Sequence, residues 1–301
     1  MKIICIGNAA YDVTLPIDHF PIENKKIRLD QSRVECGGGS ASNCAYLLAK
    51  WGMETYFGGV IGDDYYGDKI IKEFEEIGVN TKYLEKKSGV STTSSFIIAN
   101  TSKGSRTILT DKKKESVMSK IEIDDKFDVI LLDGYEKAFA KEVIKKNPKA
   151  IKIIDAGSLR ENTVELAHMV DYIVCSKDFA EEFTKKKIDY NDMRTLIEIY
   201  DDLKHEFSQK IVITLEDKGC FTYENGYKMV PSIKVDSIDS TGAGDIYHGA
   251  FTYCIANGYD IITTMKMANI AGALSVTRIG GRFSVFTLDE VKEKYDELTL
   301  S

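Results

Sequence analysis

No apolar run in the chain approaches the ~20 residues needed to span a bilayer. Nor is there a basic excess: 40 Lys and Arg against 47 Asp and Glu leave a formal charge of −7. Sequence-independent nucleic-acid binding requires a basic face, so that class is disfavoured. C-x-x-C spacing is missing too. The six cysteines (Cys5, Cys36, Cys44, Cys175, Cys220 and Cys254) are scattered, mostly within apolar stretches. They read as reduced, buried thiols rather than disulfides or zinc ligands. The four histidines lack ligand spacing. No G-x-G-x-x-G follows the first apolar strand, which argues against a dinucleotide dehydrogenase. Residues 1–7 lack the long apolar region and cleavage site of a signal peptide. Together these absences predict a cytoplasmic protein with no membrane or nucleic-acid partner.

What is present is a rhythm. Apolar, β-branched runs at 2–7, 54–59, 128–132, 151–155, 172–175 and 211–214 read as buried strands. Helical patterns cover 41–51, 66–77, 139–146, 178–185 and 193–207, and 245–277 is mostly helical. Residues 230–235 read as the end of a further strand. Strands alternating with helices predict an α/β fold with a mainly parallel sheet covered on both faces. With no repeats, low-complexity tracts or long linkers, residues 1–301 are expected to form one domain.

Two segments break this rhythm. Residues 12–34 include the strand-like string Lys26-Ile27-Arg28-Leu29. Residues 91–110 read as a β-hairpin turning around Ser102-Lys103-Gly104. A small sheet made from them needs another surface to cover its apolar face. Alternatively, these strands extend the main sheet.

The most informative string is Asp239-Ser240-Thr241-Gly242-Ala243-Gly244-Asp245, followed by the apolar run from Ile246. Gly242 and Gly244 let a ligand approach the backbone. The first turn of a helix offers unpaired N–H groups and a positive dipole end to phosphate oxygens. A carboxylate in that turn is held ionised and can serve as a general base. One short segment could thus hold phosphoryl charge and deprotonate an alcohol. In isolation, the same string also reads as a tightly packed helix start.

The full string D-S-T-G-A-G-D-x-x-x-G-A closely resembles the C-terminal signature of the ribokinase/PfkB family of carbohydrate kinases. Gly38-Gly39-Ser40-Ala41-Ser42-Asn43-Cys44-Ala45 resembles that family's N-terminal G-G-x-x-x-N-x-A signature. With Ala268-Asn269 and Arg278-Ile279-Gly280-Gly281, the resemblance spans almost the whole chain. It implies a ribokinase-like three-layer α/β/α sandwich with a small β-sheet lid, at about 12–35 and 91–110. A homodimer formed through that lid is implied as well.

The resemblance implies a role for each matching residue. Asp245 is the base, and the amides of Gly242, Ala243 and Gly244 form an anion hole. Asn8, Asp12, Gly38, Gly39 and Asn43 hold the sugar, and Arg106 reaches in from the lid. Adenine lies beside Thr214, Glu216, Gly219 and Asn269, although family members commonly carry Gly where Glu216 stands. Magnesium accompanies ATP, met through water by Asp178 and Glu181, where Asp178 replaces a common Asn. A potassium site is implied at Asp239, Thr241, Ser275, Arg278, Gly280 and Ser284. On their own, Asp178 and Glu181 also read as ordinary first-turn acids, and Arg278 with its glycines as a helix end. His248 reads as a packing or supporting residue.

The expected activity is ATP-dependent phosphorylation of a primary hydroxyl on a sugar or related polyol. Phosphorylation of an anionic sugar is an alternative, suggested by Lys25, Lys26, Arg28 and Arg33. Those cations read equally as protection for an edge strand. A nucleoside kinase and a non-catalytic sugar or nucleotide sensor are the remaining readings.

Overall fold

A computed structural model describes residues 1–29, 31–112, 117–119 and 122–300. Residue 30, within the first expected lid segment, lies outside the described residues. The chain builds two sheets. The larger takes β1 (Lys2–Ile6), β4 (Glu54–Gly62), β5 (Asn80–Lys87), β8 (Val129–Leu132), β9 (Ile151–Ala156), β10 (Tyr172–Ser176), β11 (Lys210–Thr214), β12 (Cys220–Tyr223) and β13 (Tyr227–Val230). Its spatial order is β13-β12-β11-β10-β9-β8-β1-β4-β5. All its pairings are parallel except β11–β12 and β12–β13.

The strands read as near-continuous apolar runs because both faces are covered. Alternation sends Ile3 and Cys5 to one face and Ile4 and Ile6 to the other. The first face packs against α1 (Ser40–Lys50), α2 (Tyr65–Ile77), α7 (Ala243–Ala256), α8 (Ile261–Ser275) and, through Val291, α9 (Leu288–Leu300). The second packs against α3 (Lys137–Lys146), α4 (Glu161–Ala167), α5 (Lys177–Thr184) and α6 (Met193–Glu206). This is the expected three-layer α/β/α sandwich. All six cysteines are buried and unpaired. No helix among the described residues is long and apolar enough to cross a membrane.

The smaller sheet has the order β3-β2-β6-β7, from β2 (Ala10–Ile17), β3 (Val34–Gly38), β6 (Thr93–Asn100) and β7 (Ser105–Asp111). The expected hairpin is β6–β7, paired antiparallel. The sheet is separate from the large one, so its strands do not extend the main sheet. Register fixes its faces: Asp12 opposes Ser95, and Ser95 opposes Thr110. Arg106, Ile108 and Thr110 therefore share a face with Asp12.

Some expectations fail locally. Residues 26–29 form no strand; the first segment contributes β2 and β3 on either side of them. The strand expected at 230–235 ends at Val230, because Pro231 supplies no N–H to a ladder. It is the second arm of an antiparallel hairpin, β12–β13.

Candidate active site

The site is assembled where parallel strands end, which is where open α/β sheets place ligand groups. Asp133 immediately follows β8 and is buried. Its carboxylate accepts from the backbone N–H of Asn8 at 2.7 Å, Tyr135 at 3.0 Å and Ala41 at 3.2 Å. One acid thus ties the ends of β1 and β8 to the start of α1. A Cβ at Gly7 would collide with it.

Asn43 lies in the first turn of α1 and is buried. Its Nδ2 donates to Asp245 Oδ2 at 2.7 Å. Its Oδ1 faces Arg282 Nε at 3.4 Å. Arg282 is fully buried and donates from Nη1 to Glu73 Oε2 at 2.8 Å, and from Nη2 to Ser42 Oγ. A buried cation unpaired would be costly, so this network fixes it.

Asp245 occupies the first turn of α7. Gly242, just before it, adopts φ 75°, the left-handed region. First-turn amides have no earlier carbonyl in the helix to bond. Gly244 is exposed, and a Cβ there would meet nothing within 4 Å. This leaves open space over the helix start. Removal from water pushes the Asp245 carboxyl above its usual value, opposed by the Asn43 amide. Asp245 retains some exposure, so the same group is desolvated yet reachable. The upward direction makes it a better proton acceptor than an ordinary carboxylate while it remains ionised.

Asp12 is buried on β2, and its carboxyl is raised to about 6 by desolvation, with Ser95 opposing. A Cβ at Gly38 would strike this carboxylate. At Gly39, φ is 92° and a Cβ would stand 2.5 Å from the Asn8 carbonyl oxygen. The two glycines therefore bring β3 against both polar groups. Asn8 Oδ1 accepts from Lys112 Nζ at 2.9 Å. Arg106 crosses from β7 to donate to Ser240 Oγ at 2.5 Å. Asn8, Asp12, Gly38, Gly39, Asn43, Arg106 and the 242–245 turn are thus linked around one cleft.

The outlying candidates behave differently. Thr214 Oγ1 donates to the Cys175 carbonyl at 3.3 Å, and Asn269 Nδ2 donates to the Val230 and Pro231 carbonyls at 3.0 and 3.2 Å. Asn269 thereby joins α8 to the end of β13. Glu216 is exposed with φ 55°, a conformation favouring Gly. Gly219 has φ 103°, and a Cβ there would strike the Val230 carbonyl.

Asp178 and Glu181 have different surroundings. Asp178 is exposed, whereas Glu181 accepts from Lys187 Nζ at 2.6 Å and Ile188 N at 2.9 Å. Ser176 caps α5, and the later turn carrying Glu181 faces the 185–188 loop instead. Among the described residues, no three His, Cys, Asp or Glu gather as a metal site.

Asp239 accepts from Thr241 N and Oγ1 at 2.9 and 2.6 Å, and from Gly280 N at 2.9 Å. Ser275 and Ser284 hydroxyls donate to Gly272 and Gly281 carbonyls, each at 2.7 Å. Arg278 turns away to Glu290 at 3.4 Å and lies over Phe286. These residues knit one loop, in which the side-chain oxygens of Asp239, Thr241, Ser275 and Ser284 all bond locally. In the basic segment, Lys25, Lys26 and Arg28 are exposed and Arg33 pairs with Glu35.

Sequence reading missed Asp133, Asp155 and Arg282. Both acids end apolar strands, a readable signal in α/β folds. Asp155 is buried and raised to about 6 by desolvation. It faces His248 Nε2 at 3.4 Å, while His248 Nδ1 lies 2.6 Å from the Gly244 carbonyl oxygen. His248 accordingly supports the turn from below. No sequence signal marked Arg282 as buried.

Comparison with known proteins shows the family and the fold. The description "pfkB family carbohydrate kinase" matches residues 1–288. A deoxyribokinase of Salmonella typhimurium is 28% identical, covering 97% of this chain and 98% of its own. A ribokinase of Bacillus subtilis is 27% identical, with 97% and 99% covered. A solved putative ribokinase from Agrobacterium tumefaciens superposes with TM-score 0.90 at 22% identity, covering 100% and 99%. An Arabidopsis thaliana ribokinase complexed with ribose and ATP gives TM-score 0.82 at 20% identity, with 97% of each chain covered. The chain belongs to the pfkB family of carbohydrate kinases and is a phosphotransferase with an alcohol acceptor.

Proposed function

We propose that the enzyme transfers the γ-phosphate of ATP to a primary hydroxyl of a sugar or related polyol, with Asp245 as the base. The observation that carries this reading is the Asp245 carboxylate beside the open amides of the α7 start, held by Asn43. Asp245 takes the hydroxyl proton as the sugar oxygen forms its bond to the γ-phosphorus. The bond between that phosphorus and the β–γ bridging oxygen breaks, and ADP leaves. Phosphoryl transfer demands alignment and charge neutralisation. The Gly242–Asp245 backbone, with Arg106 above it, supplies both. Asp12, Asn8 and Asn43 accept and donate to the sugar hydroxyls. Magnesium enters with ATP as part of the substrate, and no protein ligand is assigned to it. The ribose and ATP of the Arabidopsis ribokinase support the choice of substrates.

The small sheet acts as a lid. Its hairpin tip meets the main body where Gly104 abuts Ser237, and Arg106 and Lys112 cross to Ser240 and Asn8. Its other face exposes the cross-strand pair Phe96 and Leu109, which suits a second copy of the chain. ADP release across free sugars, sugar phosphates and nucleosides tests the activity. Release with a sugar is expected; release only with nucleosides, or with none, contradicts it.

A further inference from the structure

Beneath the α7 turn lies a buried acid–base pair that the transfer chemistry leaves unassigned. His248 sits one helical turn after Gly244 on α7, and Asp155 stands near the end of β9. Both side chains are buried. Asp155 and Val174 are register partners on β9 and β10. The two strands thereby set a carboxylate and a backbone carbonyl against the ring.

Among the described residues, every group bonded to the imidazole is an acceptor. Nδ1 lies 2.6 Å from the Gly244 carbonyl oxygen. Nε2 lies 3.1 Å from the Val174 carbonyl oxygen and 3.4 Å from Asp155 Oδ1. A neutral imidazole donates from one nitrogen only, so its other nitrogen would face oxygen lone pair to lone pair. An imidazolium donates from both. The short Nδ1 distance suits a charge-assisted bond. At 3.4 Å, Asp155 is too far for the short bond that a protonated carboxyl would make.

The surrounding charges agree. Burial pushes the Asp155 carboxyl to about 6, with the His248 charge opposing, so it is ionised at neutral pH. Asp133 and Asp245 both repel that carboxylate. From α1, the Cys44 thiol donates to the Asp245 carbonyl at 3.2 Å, and burial pushes it well up, so it stays neutral. The Tyr247 ring stands edge-on to the imidazole at 5.8 Å, and its hydroxyl is likewise pushed up and neutral. A cation placed among these acids lowers the cost of their repulsion.

We infer that His248 and Asp155 form an imidazolium–carboxylate pair whose cation charges the catalytic turn from beneath. The Gly244 carbonyl and the Asp245 N–H belong to one peptide unit. A cation bonded to that carbonyl polarises the unit and strengthens its N–H as a donor to phosphate oxygens. The same charge helps to hold Asp245 ionised. His248 is therefore a positioning residue, acting through the Gly244–Asp245 peptide. This role rests on the reading of Asp245 as the base.

The test begins with full-length enzyme carrying 15N-labelled histidine. The other histidines, His19, His168 and His205, are exposed, and exposed ring N–H protons exchange with water. At about pH 8, where an unperturbed imidazole is neutral, one ring should show two persistent N–H protons, and His248→Gln should lack both. Asp155→Asn should remove one of them, because a buried cation without its anion gives up its proton. With MgATP and the best sugar, both variants should lower kcat about tenfold. His248→Gln should also move the acid limb of the kcat/KM profile to higher pH, which loss of a merely packed ring would not do. A single N–H on the wild-type ring overturns the ion pair and leaves the kinase reading intact, and that spectrum decides the point even if neither variant folds. Two N–H protons with kcat and the acid limb both unmoved overturn the action on the turn. Folded wild type that releases ADP with no sugar overturns the kinase reading and this role with it, while the ring protons remain readable.

Discussion

The Asn43 amide donates to the Asp245 carboxylate at 2.7 Å, joining two residues 202 positions apart. The same amide's oxygen faces the buried Arg282, itself anchored by Glu73. Asn43 thus aims the proposed base and satisfies part of a buried cation. Asn43→Ala should lower kcat about tenfold, the scale of one lost hydrogen bond to a charged group. It should also lower the melting temperature, because Arg282 loses a partner. Asn43→Asp would set a second carboxylate against Asp245 and move the acid limb of the kcat/KM profile to higher pH. A kinetic pH profile checks this; an unmoved limb means that Asn43 does not act on Asp245.

Gly242 and Gly244 should separate folding from ligand binding. Gly242 needs its positive φ, so Gly242→Ala should cost about 1–2 kcal/mol of stability. Gly244 opens onto free space, so Gly244→Val should leave melting nearly unchanged. Its added side chain would fill the volume proposed for the phosphates, raising KM for ATP and lowering kcat. Unchanged melting together with unchanged kinetics would remove Gly244 from the site.

Asp12 predicts a conflict between stability and binding. Its folded pKa of about 6 lies above the ordinary carboxyl value of 3.8. Between those values the folded chain keeps a proton that the unfolded chain has released. Stability therefore falls as pH rises through this window and levels off above about 6. Asp12→Asn should stabilise the protein at pH 7 by ~1–3 kcal/mol, with the gain disappearing below about pH 4. The same substitution should raise KM for the sugar, and in the wild type KM should rise as pH falls through about 6. Melting curves at pH 4 and 7 test the first part; a destabilised Asp12→Asn at pH 7 contradicts it.

Arg106 stands over the transfer end, bonded to Ser240. Arg106→Ala should lower kcat for every acceptor alike. Steady-state kinetics on two different acceptors check this; a loss confined to one of them contradicts it.

The central layers were legible because strands buried on both faces are written as apolar runs, as in Ile3-Ile4-Cys5-Ile6. The edge strand β5, Asn-Thr-Lys-Tyr-Leu-Glu-Lys-Lys, escaped because solvent-facing charge hides its alternation. The β12–β13 hairpin escaped for a related reason: four-residue strands carry little periodic signal. Contiguous turns such as Gly242–Asp245 could be read locally. Long-range partners could not: nothing about Arg282 in Gly281-Arg282-Phe283 announces Glu73 and Ser42 as neighbours. Asp178 and Glu181 were singled out by resemblance alone, and the bonds of Glu181 to Lys187 and Ile188 in the following loop had no signal in the sequence.

The most direct test of the account is the turnover of Asp245→Asn with the best acceptor and saturating MgATP. The substitution keeps shape but removes the proton acceptor beside the open amides. The account predicts a fall in kcat of ~10²–10⁴-fold, with ATP binding largely retained by equilibrium titration. Near-wild-type turnover in a folded Asp245→Asn enzyme would contradict it.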